Sequence, residues 1–297
     1  MPRVACHPLL KDAAGRAEEG SGSGKMSGAG KILQKRKKTM IKVTWLGTAS
    51  ILIEACGQKL LFDPFVELAG GSNPNTLEDF EGVRDICVTH GHLDHLFFIP
   101  ELVEGQDATV HCPAAAARTL ERFLGDNGNV VLTRPGDAWH LGEMKITAYR
   151  GRHVAFSTSL VLGRLFSPQI FRRPKNLLFL AWAHPRFREL KDTLIYEIDA
   201  EGKKILLLGS MALDEKTGYP QGADLLILPY QGKRRPEEAA CEIVDRLMPK
   251  RILLDHFDNA FPPASRDEDT RPLYRLLSSR FPQIQAVKPK AGKPVMF

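Results

Sequence analysis

The sequence has little cysteine and no long apolar run. Its longest strongly apolar stretch, Leu177–Ala183, covers seven residues, whereas a helix that spans a bilayer needs about 18, so no transmembrane segment is expected. The five cysteines are scattered and form no Cys-x-x-Cys pair, which excludes a disulfide scaffold and is typical of free thiols in a reducing compartment. A charged start followed by about 7–15 apolar residues is also missing. We therefore expect a cytoplasmic protein.

The positive charge of the chain is concentrated at its N-terminus. Residues 1–39 hold nine Lys or Arg and three Asp or Glu, which accounts for the whole net charge of +6. The same segment is rich in Gly and Ser, so we interpret 1–39 as a flexible basic tail and 40–297 as the folded body. Because that body is electrically neutral, it lacks the broad basic footprint of a nucleic-acid-binding domain, and no stable nucleic-acid partner is expected.

Beyond residue 40, strand patterns and helix patterns succeed one another. Strands are predicted over Ile41–Leu46, Ser50–Ala55, Lys59–Asp63, Asp85–Thr89, Asn129–Leu132, Ala138–Leu141, Lys145–Tyr149, Thr193–Asp199, Lys203–Leu208, Asp224–Leu228 and Arg251–Asp255. Helices are predicted over Pro113–Leu124, Pro236–Met248 and roughly Thr270–Arg280. This order predicts an α/β fold in which helices cover the outside of the sheets.

The most informative segment, 89–95, reads THGHLDH and follows a predicted buried strand. It places four potential metal ligands, His90, His92, Asp94 and His95, within six residues. Strand ends are where sheet-based enzymes place reactive groups, and imidazole with carboxylate suits Zn²⁺, with Mn²⁺ or Fe²⁺ as further candidates. The alternative is a polar, His-rich turn without a metal.

This motif resembles that of the metallo-β-lactamase superfamily, and the resemblance extends over residues 41–297. It implies a four-layer αββα sandwich made of two similar halves. The segments 45–50 (WLGTAS), 61–64 (LFDP) and 249–261 (PKRILLDHFDNAF) are similar to the opening and closing motifs of its ascorbate-6-phosphate-lactonase-like branch. That branch also resembles N-acyl-phosphatidylethanolamine phospholipase D.

The resemblance further implies a ligand set for one or two metal ions. The first metal would be held by His90, His92 and His153, and the second by Asp94, His95 and His256. Asp63 would orient the histidine loop, because ligating histidines usually need a carboxylate or carbonyl partner.

One position departs from the family pattern. The segment 208–211 reads LGSM, so Ser210 stands where the resemblance leads us to expect a bridging aspartate. A serine hydroxyl is a poorer, uncharged ligand, which leaves either two metals with altered bridging or a single metal. Asp214 lies four residues further on and is a candidate replacement.

Residues 160–191 form a basic and aromatic insertion between His153 and Ser210. It contains seven Lys or Arg, one acidic residue and five interleaved aromatic side chains. A packed insertion or a contact between copies in a homo-oligomer is the simplest interpretation; a lid that recognises an anionic group, or a lipid-facing surface, is the alternative. Within it, His184 is a candidate substrate contact, as is Tyr230 at a later strand end.

A metal at such a site lowers the pKa of its water from about 15.7 toward 7 and polarises the attacked oxygen. The resemblance therefore implies hydrolysis, with Asp94 holding the second metal or accepting the proton of the attacking water. We expect a metal-dependent hydrolase of an ester, lactone or phosphodiester, with an anionic small molecule, phosphorylated or lipid-like, favoured as substrate. Two alternatives stay open: a non-catalytic or mononuclear metal-binding protein, and a nucleic-acid-processing nuclease.

Overall fold

The computed structural model describes residues 40–125, 129–154 and 173–297. The tail 1–39 and residues 160–172 of the insertion lie outside these ranges. The strands are β1 (Lys42–Gly47), β2 (Ser50–Ala55), β3 (Gln58–Phe62), β4 (Asp85–Cys87), β5 (Thr109–Cys112), β6 (Val130–Leu132), β7 (Ala138–Leu141), β8 (Met144–Arg150), β9 (Leu194–Ala200), β10 (Lys203–Leu208), β11 (Leu225–Pro229), β12 (Arg251–Asp255), β13 (Gln285–Val287) and β14 (Pro294–Met296).

The described helices are α1 (Leu93–Leu96), α2 (Ile99–Gln106), α3 (Ala114–Leu124), α4 (Pro174–Ala183), α5 (Pro236–Leu247) and α6 (Arg271–Arg280). A 3-10 turn covers Leu77–Phe80. The longest of these helices has 12 residues, and none of the described ones has the length and apolar character of a bilayer crossing.

The strands build two seven-stranded sheets with the same internal pattern. The first has the order β14-β1-β2-β3-β4-β5-β6 and the second β13-β12-β11-β10-β9-β8-β7. In the first sheet the pairs from β14 to β3 are antiparallel and those from β3 to β6 parallel. The second sheet repeats this, with antiparallel pairs from β7 to β10 and parallel pairs from β10 to β13. The two halves are therefore alike in topology.

Alternation along the strands explains the layers. In β3 and β4, Leu60, Phe62 and Cys87 belong to a core cluster shared with the second sheet, whereas Leu61 and Ile86 face a separate cluster. Successive side chains of a strand point to opposite faces, so the first sheet is buried on both sides. The cluster that contains Leu60 extends through the second sheet to α5 and α6. The separate cluster, which contains Leu61, includes apolar residues of α2 and α3. The predicted αββα sandwich is confirmed.

Candidate metal centre

The candidate site lies where several strands end at one edge of the sandwich. Parallel β3 and β4 end together, with Asp63 directly after β3 and the histidine loop directly after β4. In the second sheet, β8 and β10 both run antiparallel to β9, and β12 runs in the direction of β10. The loops that follow these strands, which carry His153, Ser210 and His256, therefore lie at a common edge.

Six side chains from these loops form two trios with donor atoms close together. The donor atoms of each trio lie within 4.8 Å of one another, and the trios are His90, His92 and His153, and Asp94, His95 and His256. These are the two sets that the resemblance implied. His256 follows directly on Asp255, the last residue of β12, and adopts a left-handed backbone with φ of 51°. Such strain concentrates at functional sites, and here the His256 N–H donates to the Thr48 carbonyl at 2.7 Å.

The first trio consists of one buried imidazole, His90, and two partly buried ones, His92 and His153, whose pKa values are all lowered. Nε2 of His90 lies 3.0 Å from Nδ1 of His92. Burial, reinforced by the neighbouring histidines, holds the pKa of His90 well below its usual value. Burial also lowers the pKa of His92 to about 3, although Asp94 opposes the shift, and it lowers the pKa of His153. Neutral imidazole is the form that binds metals.

The second trio centres on a carboxylate. Oδ2 of Asp94 lies 2.9 Å from Nε2 of His256 and 3.5 Å from Nε2 of His95. Burial alone would raise the pKa of Asp94, but His95 and His256 hold it well below its usual value. Burial would likewise lower the pKa of His95, yet Asp63 and Asp94 raise it to about 10. Asp94 is therefore ionised and available as an anionic ligand.

Hydrogen bonds preset the tautomers of three histidines. The Thr89 hydroxyl has one hydrogen, which it donates to Oδ2 of Asp63 at 2.7 Å, so its oxygen accepts from Nδ1 of His90 at 3.0 Å. His95 places Nδ1 2.9 Å from the same Asp63 oxygen. His153 donates Nδ1–H to the Val154 carbonyl at 2.8 Å. At His90 and His153 the proton thus lies on Nδ1 and the Nε2 lone pair is kept for a ligand, whereas at His95, whose pKa is raised, a metal would displace the Nε2 proton while Asp63 holds Nδ1–H.

Thr89 is a supporting residue that the sequence analysis missed. Besides its hydroxyl contacts, its N–H donates to Oδ1 of Asp63 at 2.8 Å, so Asp63 holds the whole start of the histidine loop. Gly209 makes room for it, because a Cβ at that position would overlap the Thr89 side chain. Both residues stand beside positions that the sequence analysis singled out, Thr89 before His90 and Gly209 before Ser210, but the sequence gives no sign that they meet.

The donor set fits a divalent transition metal. Five imidazoles and one carboxylate are ligands typical of Zn²⁺, Fe²⁺ and Mn²⁺. In addition, Nδ1 of His256 is buried and has no hydrogen-bond partner within the described part of the chain. A buried polar atom without a partner is costly, and such atoms in a native fold are typical of sites that hold an ion or a water molecule.

Comparison with known proteins decides the family. A model of the beta-lactamase superfamily domain matches residues 58–257. The chain belongs to the beta-lactamase superfamily. Its relatives include a UPF0173 metal-dependent hydrolase from Archaeoglobus fulgidus, 34% identical over 118 residues, which are 35% of this chain and 48% of that protein. Another, from Solibacter usitatus, is 25% identical over 266 residues, 86% of this chain and 100% of the relative.

The share of each relative that this superfamily member covers varies. It spans about half of the Archaeoglobus protein and 63% of a further relative of the same name from Xanthobacter autotrophicus, which is 29% identical over 52% of this chain. Among solved structures, the metallo-beta-lactamase-fold protein YhfI from Bacillus subtilis is similar, with a TM-score of 0.60 and 14% identity over 87% of this chain and 100% of that one. The predicted superfamily is confirmed, whereas the branch within it stays a prediction.

The remaining sequence-based candidates are placed differently. Ser210 is buried, and its Oγ accepts a hydrogen bond from the Val154 N–H at 3.0 Å. Asp214 belongs to neither trio: its carboxylate accepts from the Lys216 N–H and the Thr217 hydroxyl within a turn. The structure thus gives no support to Asp214 as a replacement for the bridging aspartate, because local hydrogen bonds hold its side chain.

The two candidate substrate contacts differ in exposure: His184 is exposed and Tyr230 is buried. His184 is exposed and follows directly on the last residue of α4, outside both trios. Tyr230 is fully buried, at 0% exposure, within the core cluster shared by the two sheets. The structure gives no support to Tyr230 as a residue of the substrate pocket, because its side chain has no accessible surface, and that role stays a prediction.

Proposed function

We propose that this protein is a metal-dependent hydrolase that uses a metal-activated water to cleave an ester, lactone or phosphodiester. The observation that carries the proposal is the pair of trios, each with donor atoms within 4.8 Å. The relatives named metal-dependent hydrolases support it. Zn²⁺ is the metal that five imidazoles and one carboxylate favour, with Mn²⁺ or Fe²⁺ as alternatives.

Each of the six side chains has a defined task. His90, His92 and His153 would hold one metal, and Asp94, His95 and His256 a second. A divalent metal supplies Lewis acidity there and brings the pKa of its water from about 15.7 toward 7. Asp63 keeps the proton of His95 on Nδ1, because its Oδ2 lies 2.9 Å from that nitrogen. Asp94, ionised and 2.9 Å from Nε2 of His256, is placed to bind or to accept a proton.

The substrate is proposed to be a small anionic molecule. Support comes from the described end of the insertion, where Arg186 and Arg188 are exposed and the Arg188 backbone packs against Gly91 of the histidine loop. Arginine side chains recognise carboxylate and phosphate groups through paired hydrogen bonds. The neutral charge of residues 40–297 gives no support to a nuclease.

A second candidate is a mononuclear or non-catalytic metal-binding protein. One observation favours it: Ser210 stands at the position of the expected bridging aspartate, and its Oγ accepts a hydrogen bond from the Val154 N–H. A hydroxyl engaged in this way is a weak substitute for a bridging carboxylate. This candidate predicts metal binding at the His90, His92 and His153 trio without turnover.

Metal content and hydrolysis, measured together, separate the candidates. Protein purified without added metal would be analysed for bound metal per chain and assayed with p-nitrophenyl esters and bis(p-nitrophenyl) phosphate. We expect bound metal and turnover of at least one probe in the wild type, and loss of both in His92→Ala. His140→Ala, which removes an exposed histidine of β7, is the matched control and should behave like the wild type.

The outcomes distinguish each alternative. About one metal per chain in the wild type, rising to two in Ser210→Asp, would assign a mononuclear site. Metal without turnover of any ester or phosphodiester would favour the non-catalytic candidate. Absence of metal in the wild type after reconstitution with Zn²⁺, Mn²⁺ and Fe²⁺ would reject the proposal.

A further inference from the structure

A cleft outside the two trios is lined by four arginines. It has a volume of about 220 Å³ and lies between α3 and the segment that follows α4. Arg118 and Arg122 come from α3, one turn apart on the same face. Arg186 and Arg188 come from the opposite wall, which also includes Leu190. All four residues are exposed, so water solvates their charges, and together they make this small cavity strongly positive.

No protein group among the described residues neutralises these arginines. None of the four appears in an ion pair, and no acidic side chain lines the cleft. Two carboxylates of the same segment are engaged elsewhere: Glu189 accepts from the Lys191 N–H and the Thr193 hydroxyl, and Asp192 accepts from the Ala115 N–H at 2.9 Å. Arg186 packs over the ring of Trp182, with its guanidinium carbon 4.7 Å from the ring centre. The positive charge of the cleft is therefore available to a ligand.

The cleft adjoins the candidate metal centre. Gly91, between the first two histidines, packs so closely against the backbone carbonyl of Arg188 that a Cβ there would overlap it. The backbone nitrogen of Ala116, in the first turn of α3 and next to the lining residue Ala115, lies 3.6 Å from such a Cβ. One wall of the cleft and the histidine loop are thus in direct contact.

We propose that this arginine cleft binds a phosphate group, and, resting on the proposed function, that the group belongs to the substrate at a position remote from the bond that is cleaved. Guanidinium groups form paired hydrogen bonds with phosphate oxygens. The volume of about 220 Å³ is below the roughly 300–1,000 Å³ of pockets that hold a whole drug-sized ligand. It suits one anionic group of a larger molecule whose remainder extends toward the metals.

Two sources of the phosphate group share this chemistry. One is a water-soluble phosphorylated molecule. The other is a lipid headgroup, because Leu190, which lines the cleft, and Trp182, on whose ring Arg186 packs, are exposed to 58% and 42%. Basic residues beside exposed aromatic and aliphatic side chains are typical of surfaces that contact anionic lipids. The experiment has an arm for each source.

The binding arms use the holoenzyme and need no turnover. Inorganic phosphate would be titrated calorimetrically into the wild type, the Arg118→Gln/Arg188→Gln double variant and an Arg251→Gln control, all with equal metal content. Arg251 is exposed at the start of β12, at the end of the strand opposite His256. The same proteins would be sedimented with vesicles of phosphatidylcholine alone and with vesicles that also contain phosphatidic acid.

We expect the double variant to bind inorganic phosphate about tenfold or more weakly than the wild type, and Arg251→Gln to bind it unchanged. If the double variant loses binding only to the vesicles that contain phosphatidic acid, the cleft is supported as a phosphate site and the source of the phosphate is a lipid headgroup. Equal phosphate binding by all three proteins, together with no arginine-dependent vesicle binding, would overturn the proposal, because metals or apolar contacts would then account for all binding.

A pair of p-nitrophenyl esters separates this proposal from the function on which it rests. The acyl chain would end in a phosphate in one ester and in a methyl group in the other. The ratio of their kcat/KM values should fall about tenfold in the double variant and stay constant in Arg251→Gln. An unchanged ratio would overturn the assignment to the substrate. If the wild type hydrolyses neither ester, the proposed function fails, while the phosphate titration still judges the cleft.

Discussion

Ser210 and Val154 are joined by a buried hydrogen bond in which the Val154 N–H donates to the serine Oγ at 3.0 Å. The Val154 carbonyl accepts from Nδ1 of His153 at 2.8 Å. Through these two contacts the loop after β10 holds the backbone next to a candidate ligand. The Ser210 hydroxyl therefore helps to hold the backbone of Val154, and with it the imidazole of His153, in place.

Ser210→Ala should destabilise the protein and weaken metal binding at the first trio. The substitution leaves the buried Val154 N–H without its partner, which costs about 1–3 kcal/mol in the free energy of unfolding. It also loosens the loop that carries His153. Urea unfolding and a metal-binding titration would measure the two effects.

Ser278→Ala is the control for that substitution. Ser278 is exposed on α6, and surface changes of this kind stay within about 0.5 kcal/mol. If Ser210→Ala matched Ser278→Ala in both measurements, the positioning role of the serine would be wrong.

Asp63→Asn should reduce metal affinity while the fold survives. Oδ2 of Asp63 faces two donors, the Thr89 hydroxyl at 2.7 Å and Nδ1 of His95 at 2.9 Å. An amide nitrogen at that position would itself be a donor and could accept neither bond. Loss of such a partner typically costs about 10–100-fold in metal affinity. Competition with a chromophoric chelator would measure it.

The control for this change is Asp245→Asn, on the exposed face of α5, which should leave the affinity unchanged. Equal affinity in Asp63→Asn and the wild type would show that the histidine loop keeps its geometry without the carboxylate.

Much of the fold could be predicted from the sequence because its strands alternate clearly. The hairpin of β9 and β10, for example, was predicted around Glu201 and Gly202 and has its register there, with Lys203 opposite Ala200. The predicted and observed bounds of the helix ending at Leu124 differ by one residue, since Pro113 is its cap and not its first residue.

Other features depend on contacts that no local pattern contains. Helix α1 has four residues, Leu93–Leu96, too few for a periodic signal. The position of Thr89 between Asp63 and two histidines requires residues 26 positions apart to meet. The burial of Tyr230 follows from packing of the second sheet, whereas its place after a strand predicted a pocket residue. The arginine cleft joins two segments that are distant in sequence.

Glu197→Gln should lower stability at neutral pH but not in acid. Glu197 accepts hydrogen bonds from Nζ of Lys204 at 2.8 Å and from the Tyr149 hydroxyl at 2.6 Å. Burial alone would raise its pKa, but these partners lower it below the usual 4.5. A lowered folded pKa stabilises the protein above the unfolded value, and this is lost as the pH falls through the folded pKa.

We therefore expect Glu197→Gln to cost about 1–2 kcal/mol in the free energy of unfolding at pH 7. The difference from the wild type should shrink as the pH falls below about 4.5. Urea unfolding curves at several pH values would measure it, with Glu104→Gln, an exposed position on α2, as control. A difference that is constant with pH would contradict the electrostatic explanation.

Gly91→Ala and Gly105→Ala should change stability in opposite directions. At Gly91 a Cβ would overlap the backbone carbonyl of Arg188, and backbone cannot move as a flexible side chain can, so we expect a loss of about 1–3 kcal/mol. Gly105 lies inside α2, with nothing within 4 Å of an added Cβ. There alanine is the better helix former and should add up to about 1 kcal/mol.

Thermal unfolding and metal content of the two glycine variants would test this contrast. Because the displaced Arg188 segment forms one wall of the arginine cleft, Gly91→Ala should also lower phosphate binding, whereas Gly105→Ala should not. Equal melting temperatures for both variants would mean that residues 188–190 move aside without a loss of stability. The direct contact between the cleft and the histidine loop would then be too weak to position a substrate, so this pair measures how firmly the two sites are coupled.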